Sequence, residues 1–392
     1  MTALDGAPVV VVGAGPVGLL LATRLLALGV PTRIVERRGE PGGGSRSIGV
    51  HPPGLAALAS VGLDGVFRET GVRIVEGRAY GARGPLGALA FGPETPVLAV
   101  PQALGEAALE AALQARGGAV ERGVRLTGLA PLEGGSALEA RLEHGDGAAS
   151  AVRASLVIGC DGRDSLVRSL AGIACDGGPY PDRYLMADLP DVTGLGPRAE
   201  IRLHLAGLME SFPLPGGWRR VVVRLADACI DPPLDRSEAA LAARVCELAL
   251  ERSGACFDAS RARMASAFGV ERWLARRFVA GRVALAGDAA HVISPIGGQG
   301  LNLGWLDAVA LADAIERTAD GDAVRLVQEL ARYDRRRRRA ARIALRRAEW
   351  NTRLGRPLPH ERARWRDALL RQALRPPWSR VLLGAFTMRG LA

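Results

Sequence analysis

The spacing of apolar positions changes along this chain, and those changes divide it. Residues 8–12, PVVVV, are wholly apolar, the mark of a short strand covered on both faces. PVGLLLATRLLALG, residues 16–29, reads as an apolar helix, and PTRIVER, residues 31–37, as a second strand. Strand, helix and strand open a parallel βαβ unit. LVIGCDG (156–162) and RVALAGD (282–288) are further apolar strands, each ending on an aspartate. Between them residues 39–50 are loop, a helix is expected near 53–61, short alternating runs over 72–100 predict another sheet, and a helix returns at 102–116.

Residues 176–265 differ. EIRLHL (200–205) alternates with period two, the pattern of a half-buried antiparallel strand. ESFPLPGGWRRVVVRLA (210–226) reads as a hairpin turning at Pro and Gly-Gly, and a helix follows over 237–252. From 303 onward the chain is helical, broken by Pro357, Pro359, Pro376 and Pro377. The parallel-sheet strands thus come in three pieces, with a second sheet inserted.

Composition narrows the function classes. The 392 residues are 48% hydrophobic, and no apolar run reaches the roughly 20 residues of a membrane span. MTALDGAP carries no positive charge ahead of its first apolar strand, so no secretory signal is expected. Five scattered cysteines without CxxC spacing fit a reducing cytoplasm and speak against zinc or a redox disulfide. The net charge of +10 raises nucleic acid as a partner, but the 51 basic residues are all arginine. That bias looks like GC-rich coding, so nucleic acid is not expected. The run Arg335–Arg339 reads as a solvated helix face. Without lysine there is no Schiff base and no phosphate-binding lysine.

The chemistry begins at Gly13-Ala14-Gly15-Pro16-Val17-Gly18, between a strand and a helix. Gly13 permits the turn, Gly15 lets backbone approach a pyrophosphate at the helix N-terminus, and Gly18 lets helix and strand pack. Glu36, ending the second strand, is placed for a ribose hydroxyl, with Arg37 beside it for the adenosine. A nicotinamide has no use for a distant carboxylate at a strand end. FAD does, because its ribityl chain carries hydroxyls, and Asp288 takes that role. Gly297, Gly298 and Gly300 then bring bare backbone to the flavin's pyrimidine edge. A helix starting near Leu301 points its amides at the place where a reduced flavin gathers charge, and Asn302 is expected to add a side-chain hydrogen bond.

GAGPVG, SRSIGVHPPGLAAL (45–58), the Gln of VPQALGEAALEAAL, GCDGRDSLVR and GDAAHVISPIGGQGLN together resemble the single-component FAD-dependent aromatic hydroxylases, the para-hydroxybenzoate hydroxylase-like group, through about residue 340. The resemblance implies that Arg46 and Gln102 contact the flavin, that Asp161 serves FAD and nicotinamide use, and that Pro295 lies near the reacting centre. It implies an α/β fold: a Rossmann-like FAD-binding domain from residues 1–75, 100–175 and 266–340, a mostly antiparallel β substrate domain from 76–99 and 176–265, and a C-terminal helical segment, 341–392. Many larger members add a thioredoxin-like domain, for which this chain is short. The implied reaction uses NAD(P)H as transient reductant and O₂ as co-substrate, and hydroxylates a phenolic or polycyclic molecule through a flavin C4a-hydroperoxide. Epoxidation on the same scaffold is the alternative, with a flavin reductase or dehydrogenase behind it. GGGSRS (42–47) suits a hinge that opens the flavin to nicotinamide. Glu200, Arg202 and His204 share a strand face that either meets solvent or lines the pocket, and Phe212 and Trp218, flanking the hairpin turn, either pack structurally or wall it; His204, Phe212 and Trp218 are the candidate substrate contacts. Neither His51 nor His291 is read as a general base, and no residue matches the tyrosine pair that activates the phenol in the founding enzyme.

Overall fold

The computed structural model describes residues 6–42, 48–93, 95–225, 236–318 and 322–391. A six-stranded sheet runs in the order Val279–Ala280, Val283–Leu285, Leu156–Gly159, Val9–Val12, Thr32–Glu36, Val120–Arg122. Its central strands are parallel, with Val9–Val12 between Leu156–Gly159 and Thr32–Glu36. Val9, Val10 and Val11 are fully buried, so the unbroken valine run follows from cover on both faces. One cover is the helix Pro16–Ala27, which starts on a proline at its first turn, where a missing N–H costs nothing. The helix Gln299–Glu316 packs on it: a Cβ on Gly304 would stand 2.6 Å from Val17, so only glycine allows the approach. Trp305, buried, donates from its indole Nε1 to Pro16 O at 3.1 Å.

The second sheet has eight strands, in the order His291–Val292, Met264–Ala275, Cys175–Pro190, Trp218–Arg224, Gly207–Leu214, Arg198–His204, Glu76–Gly81, Gly84–Ala90. It is antiparallel except where Arg198–His204 runs parallel to Glu76–Gly81. One face packs Leu185, Val221 and Val223 against the helix Glu238–Ser253; the other carries Met186, Leu203 and Val222. The α/β fold with a Rossmann-like parallel sheet and an inserted, mostly antiparallel one is therefore as expected. The strand Met264–Ala275 pairs throughout with Cys175–Pro190, so the larger sheet reaches past residue 265. Two small sheets complete the chain: Val124–Pro131 with Leu138–His144 and Ala149–Ala154, and Gly49–Val50 with Val97–Ala99 and Val72–Ile74.

Behind the parallel sheet lies a buried ionic knot. Asp307 is fully buried on the helix Gln299–Glu316. One carboxylate oxygen accepts from Arg337 Nε at 2.7 Å; the other accepts from the Gly287 amide at 3.1 Å and from His291 Nε2. Burial alone would raise its carboxyl, but His291 and Arg337 outweigh burial and hold it below the usual range. Arg337 also donates to Leu391 O at 2.7 Å, tying the chain's last turn to the helix Ala323–Leu354. The arginine run therefore departs from a purely solvated face. Arg335, Arg336 and Arg339 are exposed, whereas Arg337 is 1% exposed.

Arg337→Met would leave Asp307 charged and short of a partner in the interior. A loss of about 3–5 kcal/mol of unfolding free energy is expected, against no more than about 0.5 for Arg336→Met one residue earlier. Denaturant melts of the two variants check this.

Candidate active site

The fingerprint loop shows which glycines serve the protein and which the ligand. Gly13 has φ +102°, and a Cβ there would lie 2.4 Å from Cys160 O. On Gly18 a Cβ would meet Gly13 O at 2.0 Å. Both positions are closed by the chain itself. At Gly15 no atom lies within 4 Å of the same probe, and the residue faces the cavity. The one open place in the loop is the place where a pyrophosphate would approach the helix N-terminus.

Glu36 is buried at the end of its strand. It accepts from the Ala14 amide at 2.9 Å and from the Arg38 amide and Nε at 3.0 Å. Burial works against the charged form, but these donors outweigh it and hold the carboxyl below its ordinary value. A carboxylate has about four acceptor sites, so capacity remains for a ribose hydroxyl. Arg37 and Arg38 are both exposed, and Arg38 is the one that pairs with Glu36.

A cavity of about 670 Å³ runs from Gly15 and Asp288 on the nucleotide side to Phe212 and Glu210 on the eight-stranded sheet. Asp288 follows the strand Val283–Leu285 in a short 3₁₀ turn and is open to this cavity. Surrounding protein raises its carboxyl, with His291 and Arg163 pulling the other way. It has no hydrogen-bond or ion-pair partner among the described residues. Pro295, Gly298, Gly300 and Leu301 line the same cavity. The helix starts at Gln299, directly after Gly298, whose φ of +64° sets the entry turn. Pro295 O accepts from the Gly298 amide at 2.9 Å, which closes that turn.

Asn302 departs from expectation. Its side chain is fully buried, and both ends are engaged by protein. Oδ1 accepts from the His51 amide at 2.8 Å, and Nδ2 donates to Gly49 O at 2.9 Å and Gly298 O at 3.0 Å. It clamps residues 49–51 to the start of the helix and cannot reach outward to a flavin. His51 repeats the tie: its Nε2 donates to Gly297 O at 3.2 Å. Burial pushes its imidazole down to about 4, so the ring is neutral at pH 7. His51 and His291 are both buried, in keeping with positions that pack rather than abstract protons.

Gln102 lines the cavity and donates to Glu106 at 2.7 Å. Asp161 accepts from the Val167 amide at 3.1 Å, and its other oxygen is buried without a partner. Arg46 and most of the proposed hinge at 42–47 lie outside the described residues. Phe212 lines the cavity, but His204 and Trp218 do not. On the strand Arg198–His204 the phase decides which residues meet the cavity. Ile201 and Leu203 face the cavity, so Glu200, Arg202 and His204 take the opposite face. Trp218 instead lies under Arg263, whose guanidinium is 3.6 Å from the ring centroid. Glu210 is the cavity residue the sequence reading passed over. It sits two positions before Phe212 on the same strand, and that spacing was the signal available.

A loop closed at Gly13 and Gly18 and open at Gly15, an unpartnered acid just past the strand Val283–Leu285, and a helix start lining the same cavity define a dinucleotide-binding flavoprotein site. The FAD binding domain family matches residues 6–348, and the chain belongs to it; FAD is its cofactor. Rifampicin monooxygenase of Streptomyces venezuelae is 34% identical over 326 residues, 80% of this chain and 64% of that protein. The 12-dehydrotetracycline 5-monooxygenase/anhydrotetracycline 6-monooxygenase of Streptomyces rimosus is 31% identical over 325 residues, 80% and 63% respectively. The chain thus spans less than two thirds of the length of these two relatives. The crystal structure of p-nitrophenol 4-monooxygenase from Pseudomonas putida superposes with a TM-score of 0.86 at 25% identity, covering 98% of each chain. Among the described residues no helix is long and apolar enough to cross a membrane.

Gly15→Ala meets no protein atom, so its melting temperature should stay within a few degrees of the parent while FAD affinity falls at least tenfold. Gly18→Ala, which collides with backbone, should lose both. FAD fluorescence titration beside thermal melts separates the two.

Proposed function

We propose that this chain is an FAD-dependent monooxygenase that uses NAD(P)H and O₂ to hydroxylate a phenolic or polycyclic aromatic molecule. The observation that carries the reading is the continuity of the cavity, from the fingerprint loop and Asp288 to the apolar wall of the eight-stranded sheet. A cofactor ring and a substrate can meet there without bulk water between them. The relatives' names favour hydroxylation over the epoxidase and reductase alternatives.

In this reading the amide face at Gly15 and the following helix hold the pyrophosphate, Glu36 accepts from a ribose hydroxyl, and Asp288 accepts from the ribityl hydroxyls. The first amides of the helix from Gln299 would hold the flavin's pyrimidine edge, where their dipoles favour negative charge. Bound FAD would supply the redox chemistry, taking up reducing equivalents from NAD(P)H and activating O₂. Asn302 and His51 keep the two walls of the site in register. Pro295 lines the cavity beside the helix start, and Phe212 belongs to its substrate end. The FAD-binding part comprises residues 1–75, 100–175 and the segment from about 276 to 340; the substrate part takes 76–99 and 176–275, the boundary moved to keep the strand Met264–Ala275 whole.

Purified protein loaded with FAD should oxidise NAD(P)H with O₂ uptake that accelerates on adding a hydroxylated polycyclic aromatic, and the product should gain one oxygen atom. Oxidation of NAD(P)H without any oxygenated product would contradict the reading. Asp288→Ala should leave folding intact and lower FAD retention at least tenfold, giving a pale protein on gel filtration.

A further inference from the structure

The cavity holds a second unpartnered acid. Glu210 stands in the strand Gly207–Leu214, opposite Ile201 on one side and Val222 on the other. It is 4% exposed, lines the cavity, and has no hydrogen-bond or ion-pair partner among the described residues. Its surroundings on that face, Met186, Leu208, Val222 and Phe268, are apolar. A buried, unpaired carboxylate costs stability that a leucine there would not. Among the described residues, the two arginines on the cavity wall are both paired. Arg220 is held by both oxygens of Asp188 at 2.7 and 2.8 Å, and Arg78 by Glu76 at 2.7 Å.

We propose that Glu210 receives a phenolic hydroxyl of the substrate, so that the cavity selects neutral hydroxylated aromatics over aromatic carboxylates. The assignment rests on the monooxygenase reading and names its substrate class and activating group. The phenol O–H bond breaks as an O–H bond forms on the Glu210 carboxylate. The electron pair stays on the phenol oxygen and enriches the ring carbons ortho and para to it. An electrophilic oxygenation needs that enrichment, and the tyrosine pair absent from this sequence would otherwise have supplied it.

Burial pushes the Glu210 carboxyl up to about 7. It is thereby closer to a phenol, at about 10, than an ordinary glutamate at about 4.3 is. The groups facing it are Tyr184, the Asp188–Arg220 pair, and Asp182 with Arg224 and Arg356 on or against its own sheet. Across the cavity stand His51, which is neutral, and Asp288; the helices Ala323–Leu354 and His360–Ala373 contribute the uncharged Asn351, Leu354 and Leu370. No unpaired cation among these would pull Glu210 back to an ordinary value.

The test uses the full chain loaded with FAD, titrated with alizarin, a polycyclic phenol whose colour reports its ionisation, and with anthraquinone-2-carboxylate. Wild type should bind alizarin with phenolate colour at a pH where the free dye is neutral, and at least tenfold more tightly than the carboxylate. Glu210→Gln should bind alizarin about tenfold or more weakly and leave it in its neutral colour. Because the folded-state value lies above the unfolded one, wild type loses stability relative to Glu210→Gln as pH rises from about 4.5 to 7. The variant should therefore melt higher at about pH 8, with the gap closing toward pH 5. Equal affinity and colour in both proteins, preference for the carboxylate, or no difference in melting would overturn the proposal. Failure of wild type to retain FAD would instead sink the monooxygenase reading, and the alizarin colours on that same protein still decide Glu210.

Discussion

The site depends on one buried carboxylate that touches no cavity. Asp307 joins the Gly287 amide, His291 and Arg337, and through Arg337 the carbonyls of Leu303 and Leu391. Gly287 is the residue before Asp288, at φ +63°, where a side chain would press on Val17. Whatever fixes the Gly287 amide fixes the direction in which Asp288 leaves its strand. An ion in the interior must find charge and donors of its own, or its desolvation cost is not recovered. Asp307 finds both, and its satisfied geometry turns a strand end into a defined turn. The same helix carries Asp307 on one side and begins beside the cavity, so sheet, turn and helix start form one rigid unit.

Five acids of the interior and the cavity lining fall into two kinds. Asp307, Asp182 and Glu36 are matched by arginines and amides, and each is held below its ordinary value. Asp288 and Glu210 are raised, and neither has an ion pair or hydrogen bond within the described chain. The first kind holds elements together. The second lowers stability unless something outside the chain completes it, which is why such groups gather at functional sites.

The nucleotide half was legible because its physics is local. GAGPVG lies between strand and helix, and two of its glycines answer to nearby backbone, Gly13 to Cys160 on a paired strand and Gly18 to Gly13, which leaves Gly15 open. The strand ending at Leu285 announced itself by its short apolar run. The substrate half was harder. Period two shows that EIRLHL has two faces, but not which one meets the cavity; that depends on pairing with Gly207–Leu214 and on the helix behind. The alternation left the polar face open between solvent and pocket, and the cavity took Ile201 and Leu203. Val124–Pro131, Leu138–His144 and Ala149–Ala154 went unread, although Asp146-Gly147 marked a hairpin turn between two of them. Arg337 was hidden for another reason. In a run of five arginines composition says surface, and only the helix period, set against Asp307 thirty positions earlier, turns one of them inward.

Asn302 shows how a motif can be right and its chemistry misplaced. The residue follows the glycines at the helix start, so a role toward the ligand suggests itself. Its amide has one acceptor and two donor hydrogens, and three backbone groups from two segments take them. A side chain so engaged contributes geometry, not a ligand contact. Recognition then falls to groups with capacity left over: the backbone at Gly15 and the helix start, and the carboxyls of Asp288 and Glu210 on opposite walls of one cavity. Both are acceptors and both suit hydroxyl donors. Among the described residues the walls offer spare acceptors and the arginines are already paired, a set that would suit hydroxyl donors at both ends, a ribityl chain on one side and a phenol on the other.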